Sequence, residues 1–250
     1  MKRHWTIAYK ESLQMLRSQR GLLWLLAFSG LLSAFSLLLV SNTELSLLDN
    51  AQVVYMTSGT VLAAGALLAA ILGSDAYAGE KERGTLVPLL CAPIGVNALL
   101  TGKALGLLSA WSVMFAVGTT YLWAVGASGQ NLGVAVFYLA LFGTPVVLGF
   151  GYLSLALSAR TGSVLASLLS TVTFLMLAAS PLLIGPGLRG TAIGRALDAV
   201  NPFAGALNTF DSVIIDSEPF AAQVERLLLV VAWLGLCFLA ARRSAAHPNF

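Results

Sequence analysis

Six long apolar runs, parted by short polar breaks, set the frame of this 250-residue chain. Each run is continuous rather than alternating, which reads as helix and argues against barrel strands. At about 1.5 Å of rise per residue, about 20 apolar residues cross a hydrocarbon core of about 30 Å. The runs predict spans near residues 21–40, 53–73, 104–125, 133–158, 163–184 and 227–241. The last is short and is expected to begin earlier, with Glu225 and Arg226 at its mouth. Residues 1–20 follow a different pattern. On a helical wheel Trp5, Ala8, Tyr9, Leu13, Met15 and Leu16 share one arc, and Arg3, Lys10, Gln14 and Arg17 share the opposite one. That predicts an amphipathic helix lying flat in the membrane interface, as an anchor or as a surface that also meets a partner.

The longest break outside the apolar runs is 185–226. Pro186 and Gly187 end the fifth run, and Leu188 to Val200 reads as a short helix stopped by Asn201-Pro202. Ala204 to Ile215 reads as another, stopped by Glu218-Pro219. Both are too short to cross and too apolar to float, so they are expected on, or dipping into, the outer leaflet. There they could gate an exit, dock an extracytoplasmic partner or simply cap the bundle.

Composition agrees with the pattern. Hydrophobic residues make up 58% of the chain and charged residues 10%, against roughly 25% charge in soluble domains. The reading is an all-α integral membrane protein, a single transmembrane domain over 1–250, in the cell (inner or plasma) membrane. Cation placement gives the orientation. With the N-terminus in the cytoplasm, Lys2, Arg3, Lys10, Arg17, Arg20, Lys81, Arg83, Lys103, Arg160, Arg242 and Arg243 lie inside, and only Arg189, Arg195 and Arg226 lie outside. Both termini are therefore expected to be cytoplasmic.

Several chemistries fail on inventory. The two histidines, His4 and His247, stand at opposite ends of the chain, and no HExxH occurs, so no histidine metal centre or catalytic triad is expected. Cys91 and Cys237 belong to no CxxC pair and read as reduced, buried thiols. Gly95 to Ala104 (GVNALLTGKA) fails as a phosphate loop. Asn97 stands where its first glycine belongs, and Ala104 where the magnesium hydroxyl belongs. No span carries an ionised side chain or histidine near its middle, which argues against an ion-coupled carrier, since such carriers use intramembrane carboxylates. No catalytic, cofactor or metal residue is expected in this chain, and nothing points to nucleic acid.

The most telling feature is a polar run, Asp75 to Thr85 (DAYAGEKERGT), set between apolar segments. Ionised groups there must leave the bilayer centre, where each costs about 2.5–3.5 kcal/mol or more. Gly73 and Gly79 are expected to loosen the chain as the second span ends, and Glu80, Lys81, Glu82 and Arg83 to form a mixed-sign cluster suited to a partner protein. Gly84-Thr85 is expected to reverse or cap the chain. The apolar stretch after it holds Pro88 and Pro93, which stop it from spanning. It reads as a short helix against the cytoplasmic membrane surface, or as a solvated loop with a greasy re-entry.

Gly79-Glu80-Lys81-Glu82-Arg83-Gly84-Thr85-Leu86, then Leu89-Leu90, Ala92-Pro93-Ile94 and Leu99 to Lys103, resembles the signature of type-2 ABC transporter permeases (the ABC-2 class), with the NosY-like branch as the nearest flavour. The opening Ile7 to Glu11 with Leu16-Arg17-Ser18, and Asn201-Pro202-Phe203 ahead of the last span, resemble the same family. The resemblance implies six transmembrane helices and a cytoplasmic coupling segment over 74–103. Glu80, Lys81, Glu82, Arg83, Gly84, Thr85, Leu86, Leu89, Leu90 and Pro93 would seat in an ATPase groove. The interfacial helix, through Trp5, Tyr9, Lys10, Leu13, Leu16 and Arg17, would lie beside it. Two cytoplasmic ABC ATPase subunits would carry the ATP and magnesium, and a second copy or a related permease would complete the path. The implied function is the membrane subunit of an ATP-driven exporter, not itself an enzyme. The alternatives are an ion-coupled carrier and a non-transporting assembly factor.

Overall fold

The computed structural model describes residues 19–41, 50–86, 95–126, 131–183 and 191–246, and these form helices and turns with no strand among them. In chain order the helices are α1 (Gln19–Ser41), α2 (Asn50–Glu82), α3 (Val96–Gly126), α4 (Leu132–Tyr138), α5 (Thr144–Arg160), α6 (Val164–Leu183), α7 (Ala192–Val200), α8 (Pro202–Ile214) and α9 (Val224–Ala246). A π-helical turn, Leu139–Gly143, joins α4 to α5, and a 3-10 turn, Phe220–Gln223, leads into α9. Residues 1–18, with the expected interfacial positions, fall outside the described residues, as do 87–94.

Asn50–Glu82, Val96–Val125, Leu132–Arg160 and Phe220–Ala246 are long and apolar enough to cross a membrane. Leu23–Leu38 and Val164–Ser180 are apolar but shorter. The fourth expected run is not a plain α-helix. Pro145 lacks an N–H and its ring crowds the carbonyl four residues back, which the sequence pattern of hydrophobic residues does not register. The π turn stands just before that proline and widens the helix there.

α5 is the hub, packed most extensively on α2 and α9 and also on α6 and α3. Lipid tails are as apolar as leucine, so membrane helices associate through close fit rather than water exclusion. The glycines show where that fit is tightest. A Cβ on Gly65 would overlap the Trp111 ring. One on Gly73 would stand 2.6 Å from Ser154 Cβ and 2.9 Å from the Gly151 carbonyl oxygen. One on Gly149 would stand 2.6 Å from Trp233 Nε1. Trp111 Nε1 donates to Thr144 Oγ1 at 2.9 Å, tying α3 to the start of α5. Tyr121 donates to the Ser29 carbonyl at 3.0 Å and shares a 2.6 Å bond with Ser33 Oγ, holding α1 against α3.

Two apolar clusters divide the bundle. The larger includes Phe142, Phe150, Phe210 and Trp111. The smaller gathers Tyr77, Leu86, Leu99, Leu100, Ala159, Ala241 and Ala245, so the end of α2, the start of α3 and the ends of α5 and α9 meet at one end of the bundle. At the opposite end α8 is largely buried and α7 exposes Leu197 and Val200. Asn201 explains the Asn-Pro pair. Its Oδ1 accepts from the N–H groups of Phe203 (3.0 Å) and Ala204 (3.3 Å), and its Nδ2 donates to the Ala178 carbonyl at 2.5 Å. Pro202 takes the first helical position, where a missing N–H costs nothing. Asn131 Nδ2 donates to the Ile214 carbonyl at 2.8 Å and so closes the other end of α8.

One expectation is corrected. Gly73 and Gly79 do not loosen the chain: α2 runs unbroken through both to Glu82. Gly73 serves close approach to α5 instead. Gly73→Ala should therefore lower the stability of the detergent-solubilised protein by about 1–3 kcal/mol, because backbone and Cβ atoms must part. Gly30→Ala, which meets nothing within 4 Å, should be neutral or stabilising by up to about 1 kcal/mol. Thermal unfolding of the two variants side by side checks the difference.

Candidate functional site

The charged run closes α2, and the reason it closes there is local. Gly84 takes a left-handed backbone, φ +70°, which only glycine adopts without strain. The N–H of Gly84 then bonds the Lys81 carbonyl at 3.0 Å and that of Thr85 bonds the Glu80 carbonyl at 2.9 Å. The Thr85 hydroxyl adds a 3.2 Å bond to Glu80 Oε2. The expected reversal at Gly84-Thr85 is thus present as a helix-end motif, and Leu86 is folded back into the smaller apolar cluster.

The side chains of Glu80 to Arg83 are spent inside the chain. Lys81 Nζ donates to the carbonyl oxygens of Ala159 (2.7 Å) and Thr161 (2.8 Å), at the C-terminus of α5. Glu82 Oε1 accepts the N–H of Val164 at 2.8 Å, at the N-terminus of α6. Only residues 161–163 separate those two helices. A helix C-terminus carries a partial negative charge and an N-terminus a partial positive one. Lys81 and Glu82 therefore meet the two ends of one elbow with the correct sign at each, a contact worth roughly 0.3–2 kcal/mol apiece.

Their neighbours do the same work. Arg83 pairs with Asp75 one face back on α2, at 2.6 and 2.7 Å to the two carboxylate oxygens. That bond, with the nearby carboxylates, holds the guanidinium still more firmly protonated than usual. Lys103, at the start of α3, is 5% exposed. Its Nζ donates to the Ala76 carbonyl at 2.7 Å, lies 3.6 Å from Glu80 Oε1 and stands 5.3 Å from the Tyr77 ring centre. A buried ammonium is costly unless satisfied in this way. The cluster is thus a clamp joining α2, α3, α5 and α6. Leu89, Leu90 and Pro93 lie outside the described residues.

Directly behind the clamp runs a seam of hydroxyls that the apolar periodicity hides. Ser74, Ser154, Ser158 and Thr171 are all fully buried. The Ser74 and Ser154 hydroxyls lie 2.9 Å from each other and 2.6 Å each from the Ala70 carbonyl oxygen, and their two protons make two of these three bonds at a time. Ser158 goes further. Its hydroxyl donates to the Ser74 carbonyl at 2.7 Å and accepts the N–H groups of Ala78 (2.8 Å) and Tyr77 (3.0 Å). Ser74 and Ala78 are four apart, the partners of one α-helical backbone bond. The α5 hydroxyl is thus wedged into the ladder of α2, one turn before the clamp, which is a recognised origin of helix bends. Ser154 and Ser158 are also four apart and so share a helix face, a spacing that could have flagged the seam in the sequence. Among the described residues no group of His, Cys, Asp and Glu could hold a metal ion.

Two outcomes are expected. Exchanging the charges, Lys81→Glu with Glu82→Lys, keeps the net charge and puts both groups at the wrong helix end. It should lower the melting temperature by about 4–8 °C, the shift that about 2 kcal/mol brings in a chain of this size; a swap without effect on melting would contradict the clamp. Ser158→Ala should cost only about 1 kcal/mol, because the freed N–H groups can return to their own helix carbonyls. Ser158→Val keeps a wedge that cannot bond and should cost about 2–3 kcal/mol. Equilibrium unfolding of both variants reads the order.

Comparison with known proteins places this geometry. Residues 5–243 match the family model described as "ABC-2 family transporter protein". The probable ABC transporter permease protein NosY of Pseudomonas aeruginosa is 34% identical over 165 residues, which is 61% of this chain and 57% of that protein. The protein of the same name from Stutzerimonas stutzeri is 32% identical over 168 residues, 62% of this chain and 58% of that protein. The matched region thus spans less than three fifths of either relative. With these permeases as relatives, the apolar helices belong to a multi-pass inner-membrane protein. Since the family match runs through almost all of the chain, helices and clamp together, the chain belongs to the ABC-2 family of transporter proteins.

Proposed function

We propose that this chain is the membrane subunit of an ATP-driven exporter, pushed by a separate cytoplasmic ATPase through the segment that begins at Glu80. The observation that carries the reading is the clamp. A force applied at residues 80–83 reaches α3 through Lys103 and the α5–α6 elbow through Lys81 and Glu82 by direct side-chain contacts. The family's subunits of this kind work with ABC ATPases, and the two relatives are named permeases.

In this reading α1, α2, α3, α4–α5, α6 and α9 are six spans. Lys81, Arg83, Lys103, Arg160, Arg242 and Arg243 gather around the end where the smaller apolar cluster sits, while Arg195 and Arg226 belong to the opposite end. Cations favour the cytoplasmic side, so the clamp faces the cytoplasm, with both termini. Two ATPase subunits dock beneath, a second copy or a related permease supplies the other half of the path, and residues 185–226 shape its outer end. ATP and magnesium belong to the ATPase.

The test is reconstitution. The chain co-expressed with an ATPase subunit should copurify with it in mild detergent, and their proteoliposomes should move cargo only with ATP. Glu80→Lys, which sets a second ammonium beside buried Lys103, should lower the transport rate per ATP hydrolysed about tenfold or more, the effect of roughly 1.4 kcal/mol. Transport by this chain alone along an ion gradient would overturn the proposal.

A further inference from the structure

α8 reaches only halfway into the bundle. Its C-terminal end is fixed at the outer end: the Ile214 carbonyl takes Asn131 Nδ2 just ahead of α4, and Ser212 Oγ takes Arg226 Nη1 at the start of α9. Its N-terminal end lies far below. Phe203 meets Phe150 edge to face, with ring centres 6.4 Å apart. Phe150 stands ten residues before the end of α5, about 15 Å along the helix and so near the middle of a hydrocarbon core of about 30 Å. Leu207 lies against Gly59 of α2, where an added Cβ would stand 3.0 Å from Leu207 Cδ2. Between the two ends most of α8 is buried.

The deep end is tied to α6, and a proline supplies the place. Pro181 has no N–H, so the Leu177 carbonyl loses its partner in the helix. Ser180 Oγ donates to that carbonyl at 2.7 Å. Asn201, the cap of α8, donates through Nδ2 to the next one, that of Ala178, at 2.5 Å. The opened turn of α6 thus takes two side-chain donors, one of its own and one from the cap of α8. Apolar contacts in a bilayer slip at little cost, because lipid is as apolar as the neighbour it replaces. An amide pulled from its acceptor there costs more, since no water takes over the bond. The other end of α6 is held in the clamp, where Glu82 accepts the Val164 N–H at 2.8 Å. Val164 and Ala178 are fourteen residues apart in α6, about 21 Å along the helix. One helix therefore runs as a strut from the clamp to the deep end of α8.

We infer that Asn201 is a positioning residue, which makes the deep end of α8 follow α6 and so lets the outer half of the bundle answer a movement of the clamp. In the ATP-driven exporter proposed above, on which this role rests, the clamp is the driven end, α6 carries its displacement, and α8 turns about its outer attachments at Asn131 and Arg226. Asn201 thereby has two separable duties: Oδ1 starts α8, and Nδ2 joins it to α6.

Two variants separate those duties. Asn201→Ser keeps a capping oxygen but is too short to reach Ala178, and Asn201→Ala loses both. The experiment places nitroxide pairs on exposed side chains of the full chain, Met56 with Leu177 and Met56 with Val200. Pulsed electron resonance then reads them in the complex with the proposed ATPase, with and without ATP. The first pair reports α6 against α2, and the second reports the turn before α8 against α2. In the wild type both distances should shift with ATP. In Asn201→Ser and Asn201→Ala alike, the Leu177 shift should persist and the Val200 shift should be lost. The melting temperature should fall further in Asn201→Ala, which lacks the cap as well. The proposal fails if the wild-type Leu177 distance shifts and the Val200 distance does not, or if Asn201→Ser keeps the wild-type Val200 shift. It fails too if that shift is lost only in Asn201→Ala, which would make Asn201 a cap and nothing more. A wild type in which neither distance answers ATP overturns the driven clamp of the exporter reading instead, and the role of Asn201 falls with it.

Discussion

Where one helix ends and the next begins three residues later, two opposite partial charges lie side by side, and something must satisfy both. Here an ammonium and a carboxylate on consecutive residues do so: Lys81 takes the carbonyls that finish α5, and Glu82 takes the N–H that starts α6. The rest of this end of the protein follows from that arrangement. For both side chains to reach the elbow, α2 must remain helical through Glu82, and it must stop at once afterwards, which is the role of Gly84. Glu80 then faces the start of α3, where Lys103 can be buried because its charge is answered on three sides.

The stiffness of this corner contrasts with the seam behind it. Ser158 adds bonds of its own to the α2 backbone at Ser74, Tyr77 and Ala78, so the Tyr77 and Ala78 N–H groups have a partner in α5 as well as in the helix of α2 itself. Such a pair of alternatives is what a hinge needs, and it sits one turn from the clamp. Farther along, the π turn before Pro145 and the close passages at Gly65, Gly73 and Gly149 fix α5 between α2, α3 and α9. In the proposed exporter, a push delivered at the clamp would move α5 and α6 together while α2 bends at the Ser74–Ala78 turn that Ser158 meets. This gives the proposed transport cycle a mechanical route through residues that lie on the chain's own helices.

Much of this was legible before any coordinates. The apolar runs located the long helices, and the glycine after a charged run located the end of α2, because both signals are local. The Asn-Pro pair at 201–202 was legible as the stop of one helix, while its part in capping and starting the next shows only in the bonds of Asn201. The partners of the charges were not. Composition shows that Glu80, Lys81, Glu82 and Arg83 form a mixed cluster, but whether such charges face solvent or another helix end depends on contacts 27 to 82 residues away in the chain. Gly73 and Gly79 misled because glycine serves both flexibility and close packing, and only the neighbour, Ser154 in the case of Gly73, decides which. The serines of α2 and α5 were hidden by their apolar surroundings.

The central claim is that the charged end of α2 and the α5–α6 elbow move as one body. Spin labels at Arg83, the exposed member of the cluster that does not touch the elbow, and at exposed Gly162 in the elbow measure it by pulsed electron resonance in the complex with the proposed ATPase, with and without ATP. The account predicts one narrow distance that is the same in both conditions. A distance that shifts or splits when ATP is added would mean that α2 slides past the elbow, and would contradict it.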